Sequence, residues 1–159
     1  MSEFRPSEKI FGILEARVAV IAARWNGEIT DGLLRGAIKA LTRHGIAQKD
    51  IEIFRVPGAF ELPLASQRAA RTGRFSAIIS LGCVIRGDTP HFDYVCSETT
   101  RGIGQVSLNE NLPVAFGLLT TDNLEQSLER SGDNSENKGE EAALTALEML
   151  TMLQKMDGS

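Results

Sequence analysis

Four short apolar runs, separated by stretches of mixed polarity, set the organisation of this chain. Residues 17–23 (Arg-Val-Ala-Val-Ile-Ala-Ala) and 75–85 (Phe-Ser-Ala-Ile-Ile-Ser-Leu-Gly-Cys-Val-Ile) are apolar or small almost throughout, with no clean alternation. That pattern predicts strands covered on both faces, as in a parallel sheet. Residues 51–56, closed by Pro57-Gly58, and residues 113–119 complete a set of four strands. Between Ile29 and His44 the residues Ile29, Leu33, Leu34, Ala37, Ile38 and Leu41 recur at helical spacing, and Arg35, Lys39 and Arg43 share the opposite side. Gly45 is the natural stop for that helix. Residues 59–71 predict a second helix if Pro63 lies in its first turn. A third begins past His91 and runs to about Asn109, weakened by Gly102 and Gly104. Helical signals return over 124–130, are interrupted by the polar segment 131–136, and resume at Asn137. With Glu140, Asn137 resembles a capping box for a last helix to about Met156. The order β-α-β-α-β-α-β-α-α predicts an α/β fold, a parallel sheet with helices on both faces.

The segment before Ala16 does not fit this alternation. Phe4, Ile10, Phe11, Ile13 and Leu14 make it too apolar for a free tail, so an N-terminal arm (1–16) is expected, docked on a neighbouring subunit or on its own domain. A length of 159 residues, with 42% hydrophobic and 24% charged content, suits one soluble domain spanning 1–159. A net charge of −4 and a pI near 5.3 argue against a dedicated nucleic-acid binder. No apolar run reaches membrane-spanning length and the polar start containing Pro6 has no signal-peptide core, so a cytoplasmic location is the default expectation. Cys83 and Cys96 form no Cys-x-x-Cys pair and the two histidines are far apart, so neither a disulfide nor a metal site is expected.

In an open α/β sheet, ligands bind just beyond the carboxyl ends of the strands, and each strand here ends in distinct chemistry. Strand one offers Trp25 and Asn26: either a rim anchor, or a stacking platform for a flat heterocycle with an amide to bond its substituents. Strand two runs into Ala59, Phe60 and Glu61. Glu61 either favours the positive end of the following helix or accepts hydrogen bonds from a polyhydroxy substrate. Strand three breaks into Arg86-Gly87-Asp88-Thr89-Pro90-His91, where the amides of Asp88 and Thr89 could face an anion. His91 is either structural or an acid/base. Past strand four, Phe116 is core or a second aromatic wall. Arg130 and Lys138 are surface charges, or in the case of the arginine a bidentate phosphate ligand.

Taken together these segments resemble the lumazine synthase family. The resemblance is carried by Arg24-Trp25-Asn26, by Val56-Pro57-Gly58-Ala59-Phe60-Glu61-Leu62-Pro63, by residues 82–95 (Gly-Cys-Val-Ile-Arg-Gly-Asp-Thr-Pro-His-Phe-Asp-Tyr-Val), by residues 113–120, and by Glu129-Arg130 followed by Asn137-Lys138-Gly139. It implies a flavodoxin-like three-layer α/β/α fold with a four-stranded sheet. It further implies condensation of 5-amino-6-(D-ribitylamino)uracil with 3,4-dihydroxy-2-butanone 4-phosphate, with no metal or organic cofactor. By that resemblance Trp25 stacks on the pyrimidine, Ala59, Phe60 and Glu61 hold its polar edge and ribityl chain, and Cys83, Val84 and Ile85 line the pocket mainly through backbone. Asp88, Thr89 and Arg130 take the phosphate, with Lys138 as an accessory cation, and His91 transfers protons. Phe116 closes the ring's other side from an adjacent subunit.

Three positions depart from the family pattern. Trp25 stands where many members have phenylalanine, and Asp88 where a small residue is common. Asp133-Asn134-Ser135-Glu136 replaces the Lys-Ala-Gly type sequence of icosahedral members, which favours a homopentamer that assembles no further. The resemblance also implies a functional link to riboflavin synthase. One rival reading, a flavin-carrying electron-transfer module, would want a Ser/Thr-rich phosphate loop where this chain has Trp25-Asn26-Gly27-Glu28. Another, a silent flavin- or lumazine-binding homologue, sits poorly with the presence of His91 and Arg130.

Overall fold

A computed structural model describes residues 5–7 and 15–158. The expected arm falls largely outside them. Its described piece lies along the last helix, Arg5 pairing with Glu136 at 2.9 Å and the Ser7 amide donating to Glu148 at 2.9 Å.

Four strands, β1 (Val18–Ala23), β2 (Ile51–Val56), β3 (Ala77–Ile85) and β4 (Val114–Thr121), form one parallel sheet in the order β2-β1-β3-β4. The unalternating runs are where burial is complete: every residue of β1 is buried, as are the first seven of β3. Strand β2, at one edge, is half-buried or exposed along its length. Each parallel crossover needs a helix, and these divide between the two faces. On one face α1 (Gly27–Arg43) and α5 (Lys138–Met156) cover Val18, Val20, Ala22, Ile79, Leu81 and Ala115. On the other, α2 (Leu62–Arg71) and α3 (His91–Glu110) cover Ala19, Ile21, Ile78 and Leu118. The three-layer α/β/α flavodoxin-like architecture expected from the sequence is the one observed. A short α4 (Leu124–Glu129) follows β4.

Several local signals act as expected. Gly45 takes a φ of 97° just past α1, the left-handed conformation that glycine adopts without penalty. Pro63 lies in the first turn of α2, after a 3-10 turn over Ala59–Glu61. Others turn out differently. Strand β4 extends to Thr121, because Thr120 and Thr121 stay in register with Val84 and Ile85. Helix α3 is continuous through Gly102 and Gly104. A methyl group on Gly102 would lie 2.7 Å from Pro63, so the glycine marks the contact of α3 with α2 rather than a weak point. Asn137 does cap α5, its Oδ1 accepting from the amides of Gly139 (2.9 Å) and Glu140 (3.0 Å). The Glu140 carboxylate, expected to return to the cap, pairs instead with Arg43 at 3.0 Å.

Asn137 has a second task. Its Nδ2 donates to the carbonyls of Gly32 (3.1 Å), Ser131 (3.1 Å) and Gly132 (2.9 Å), tying α1 to the α4–α5 loop. Around it α1 and α5 meet through glycine: a methyl group on Gly139 would sit 1.9 Å from the Leu33 carbonyl oxygen.

Candidate active site

The carboxyl ends of β1, β2 and β3 open into a cavity of about 650 Å³. One wall is Trp25 and Asn26, a second Ala59, Phe60 and Glu61, and a third Cys83, Val84 and Ile85. Helix α3 supplies His91, Tyr94, Val95 and Glu98, which at spacings of three, four and seven residues share one helical face.

The walls are held from behind. Asn26 adopts a left-handed backbone (φ 59°) and its Nδ2 donates to the Cys83 carbonyl at 2.9 Å, joining the first and third walls. Glu61 Oε2 accepts from the Gly58 amide at 2.9 Å. One oxygen of Glu61 is thus engaged at the start of the 3-10 turn before α2 and makes no side-chain cap to α2 itself, while the residue still lines the cavity. The Cys83 thiol belongs to the core beneath α1 and α5, opposite the Val84 side chain, and its Sγ lies 3.3 Å from Ser127 Oγ. Burial pushes this thiol up from its ordinary pKa, and the Ser127 hydrogen bond offsets only part of that. A protonated thiol turned into the core is no nucleophile. Glu98 is gripped by Arg101 through two hydrogen bonds of 2.7 and 3.0 Å, which hold its carboxyl below the usual carboxylate range.

The loop after β3 is braced by Arg86. Its amide donates to the Thr121 carbonyl (2.8 Å) and its guanidinium to Asp122 (2.9 Å) and Asp93 (3.4 Å), while stacking 4.4 Å from the Phe92 ring centre. The arginine therefore fixes where the loop leaves β3 and where α3 begins. Asp88 and Thr89 are exposed on this loop and do not line the cavity; Thr89 Oγ1 accepts from the His91 amide at 3.4 Å.

A second cavity, of about 500 Å³, lies between β4 and α5 and collects Phe116, Thr120, Thr121, Arg130, Lys138 and Glu141. Arg130 donates to the Gln126 carbonyl at 2.9 Å and Lys138 pairs with Glu141 at 2.7 Å. The Lys138 amide donates to the Arg130 carbonyl at 2.8 Å, which ties the backbone of the two cationic residues together next to Asn137. Phe116 is 47% exposed.

Residues 15–154 match the family model described as 6,7-dimethyl-8-ribityllumazine synthase. The chain belongs to the lumazine synthase family. That family comprises transferases of riboflavin biosynthesis that bind their substrates and assemble as oligomers.

Within this lumazine synthase family member, nine of the residues singled out from the sequence share the first cavity: Trp25, Asn26, Ala59, Phe60, Glu61, Cys83, Val84, Ile85 and His91. Phe116, Arg130 and Lys138 share the second, and Asp88 and Thr89 lie on the exposed loop. Sequence reasoning missed Tyr94, Val95 and Glu98. The signal for them was present: once His91 is taken as the first residue of α3, the helical repeat carries the same face to all three. No described helix is long and apolar enough to cross a membrane.

Proposed function

We propose that this protein condenses 5-amino-6-(D-ribitylamino)uracil with 3,4-dihydroxy-2-butanone 4-phosphate, forming 6,7-dimethyl-8-ribityllumazine and releasing phosphate and water. The observation that carries this reading is the gathering of an aromatic plane (Trp25), a carboxylate (Glu61) and an imidazole (His91) around one cavity at the strand ends. The pyrimidine stacks on Trp25, its polar edge and ribityl chain meet Ala59, Phe60 and Glu61, and the backbone of Cys83 to Ile85 lines its floor. His91 moves protons during imine formation, phosphate elimination and ring closure, each of which needs proton transfer at near-neutral pH. Much of the acceleration comes from holding two reactants in register.

The phosphate is assigned to the Asp88 and Thr89 amides together with Arg130, with Lys138 accessory. Because Phe116, Arg130 and Lys138 line a different cavity from His91, we assign them to the site of a neighbouring copy in a homo-oligomer, a pentamer, acting in the cytoplasm and passing its product to a riboflavin synthase. The test is direct. Purified protein supplied with both substrates should generate lumazine absorbance and fluorescence faster than the uncatalysed mixture, and no excess over that background would overturn the reading. Light scattering should report a pentamer; a megadalton particle would refute the assignment of an isolated ring.

A further inference from the structure

Gly58 follows Pro57 after β2, with φ −139° and ψ −174°. That is extended backbone, open to any residue, so the path of the chain does not ask for glycine here. Trp25 does. A methyl group on Gly58 would lie 2.3 Å from Trp25 Cε3, 2.6 Å from Cζ3 and 3.2 Å from Cδ2, well inside the ~3.5–4.0 Å at which carbon atoms rest. Neither main chain is free to yield. The Trp25 amide donates to the Pro57 carbonyl at 3.0 Å and the Arg24 amide to the Val56 carbonyl at 2.8 Å. Gly58 is itself held by the Glu61 carboxylate at 2.9 Å. Trp25 is 65% exposed, so its side chain is less confined than the hydrogen-bonded main chain on either side of the contact. Any added atom at 58 therefore moves the ring and leaves the backbone in place.

We propose that Gly58 is the positioning residue for Trp25: its missing side chain is the seat of the six-membered ring, and that seat sets the ring as the flat wall of the cavity. This rests on the reading of the cavity as the pyrimidine site and adds what fixes its width. Tryptophan at 25 and a side chain at 58 exclude one another, whereas a phenyl ring at 25 lacks the fused ring that makes the clash and tolerates alanine at 58.

Trp25 is the only tryptophan in the chain, so its emission reports the ring without substrate. In Gly58→Ala, emission should move to longer wavelength and its anisotropy fall, with far-ultraviolet circular dichroism unchanged. The KM for the pyrimidine should rise about tenfold while that for the phosphate substrate stays within about twofold. Adding Trp25→Phe should cancel the effect, so that the double variant matches Trp25→Phe alone rather than the sum of the two changes. Unchanged emission in Gly58→Ala would overturn the seat. A shifted emission with an unchanged pyrimidine KM would overturn its role in substrate binding. If Gly58→Ala does not fold, recovery of folding in the double variant supports the seat, and continued failure overturns it. Absence of lumazine formation by the unaltered protein would sink the proposed function by itself, since the emission arm is read without turnover.

Discussion

Replacing Asn137 by alanine isolates the contact that joins α1, α4 and α5. The side chain is 6% exposed and makes five hydrogen bonds of 2.9 to 3.1 Å, two accepted at the start of α5 and three donated to carbonyls of α1 and the α4–α5 loop. Loss of the cap costs about 1 kcal/mol. The amide nitrogen has only two protons for its three acceptors, so the donated side contributes about 2 kcal/mol at ~1 kcal/mol per buried hydrogen bond. The sum, about 3 kcal/mol, is a large share of a typical folding stability of ~5–15 kcal/mol, and it corresponds to a fall in Tm of about 6–12 °C for a chain of this size. Urea unfolding at one fixed protein concentration is the assay, because assembly would otherwise shift the midpoint by mass action. Asn137→Ser is the informative companion. A serine hydroxyl still caps the helix but does not reach the three carbonyls, so it should recover about 1 kcal/mol and no more. An alanine variant within about 0.5 kcal/mol of the parent at unchanged slope would refute the argument. So would a serine variant as stable as the parent, which would leave the donated bonds without effect.

Other outcomes follow from the site. His91→Ala should slow turnover by about 10²-fold without abolishing it, since both reactants remain held together; complete loss would mean that the imidazole does more than shuttle protons. Arg130→Ala should raise KM for the phosphate substrate and leave that for the pyrimidine near its original value, as initial-rate kinetics would report; an equal effect on both would contradict the assignment. Cys83→Ser should keep most activity, and a thiol-specific reagent at pH 8 should not modify Cys83 in the folded protein, as peptide mass analysis would show. The Cys83 pKa also has a sign for stability. The fold favours the neutral thiol, so this contribution is complete below the unfolded thiol's pKa of ~8.5 and is lost as pH rises through the higher folded value. Between pH 8 and pH 10 the parent should therefore lose more stability than Cys83→Ser, in parallel urea titrations; identical losses would contradict it.

The strands were legible because both faces of β1 and β3 are covered, which leaves continuous apolar runs in the sequence. The end of β4 was not, because Thr120 and Thr121 extend the strand by pairing with β3 rather than by apolar character. Phe75, grouped with strand three from its apolarity, precedes β3 and packs edge-on against Phe54 at 6.1 Å between ring centres. Glycine in α3 illustrates the same limit. Helix propensity marks Gly102 as a weakness, and only the position of Pro63 across the interface reveals its use. At the site, residues next to strand ends were legible from topology alone. Tyr94, Val95 and Glu98 needed the start and phase of α3, and the bracing of the loop by Arg86 depends on Asp122 and Asp93, distant in sequence or set by the start of that helix.

The pairing of α1 with α5 has a consequence for synthesis. The apolar side of α1, with Ile29, Leu33, Ala37 and Leu41, is covered by Ala143, Ala146, Leu147 and their neighbours in α5. Helix α1 ends at Arg43 and α5 begins at Lys138, so at ~5–20 residues per second a ribosome needs about 5–20 s between the two. Throughout that interval the first helix can pack on β1 and β3, but the part of its surface that meets α5 stays uncovered by its own chain. The α2–α3 side of the sheet can close earlier on the growing polypeptide, while the α1 side is completed only once α5 has been made.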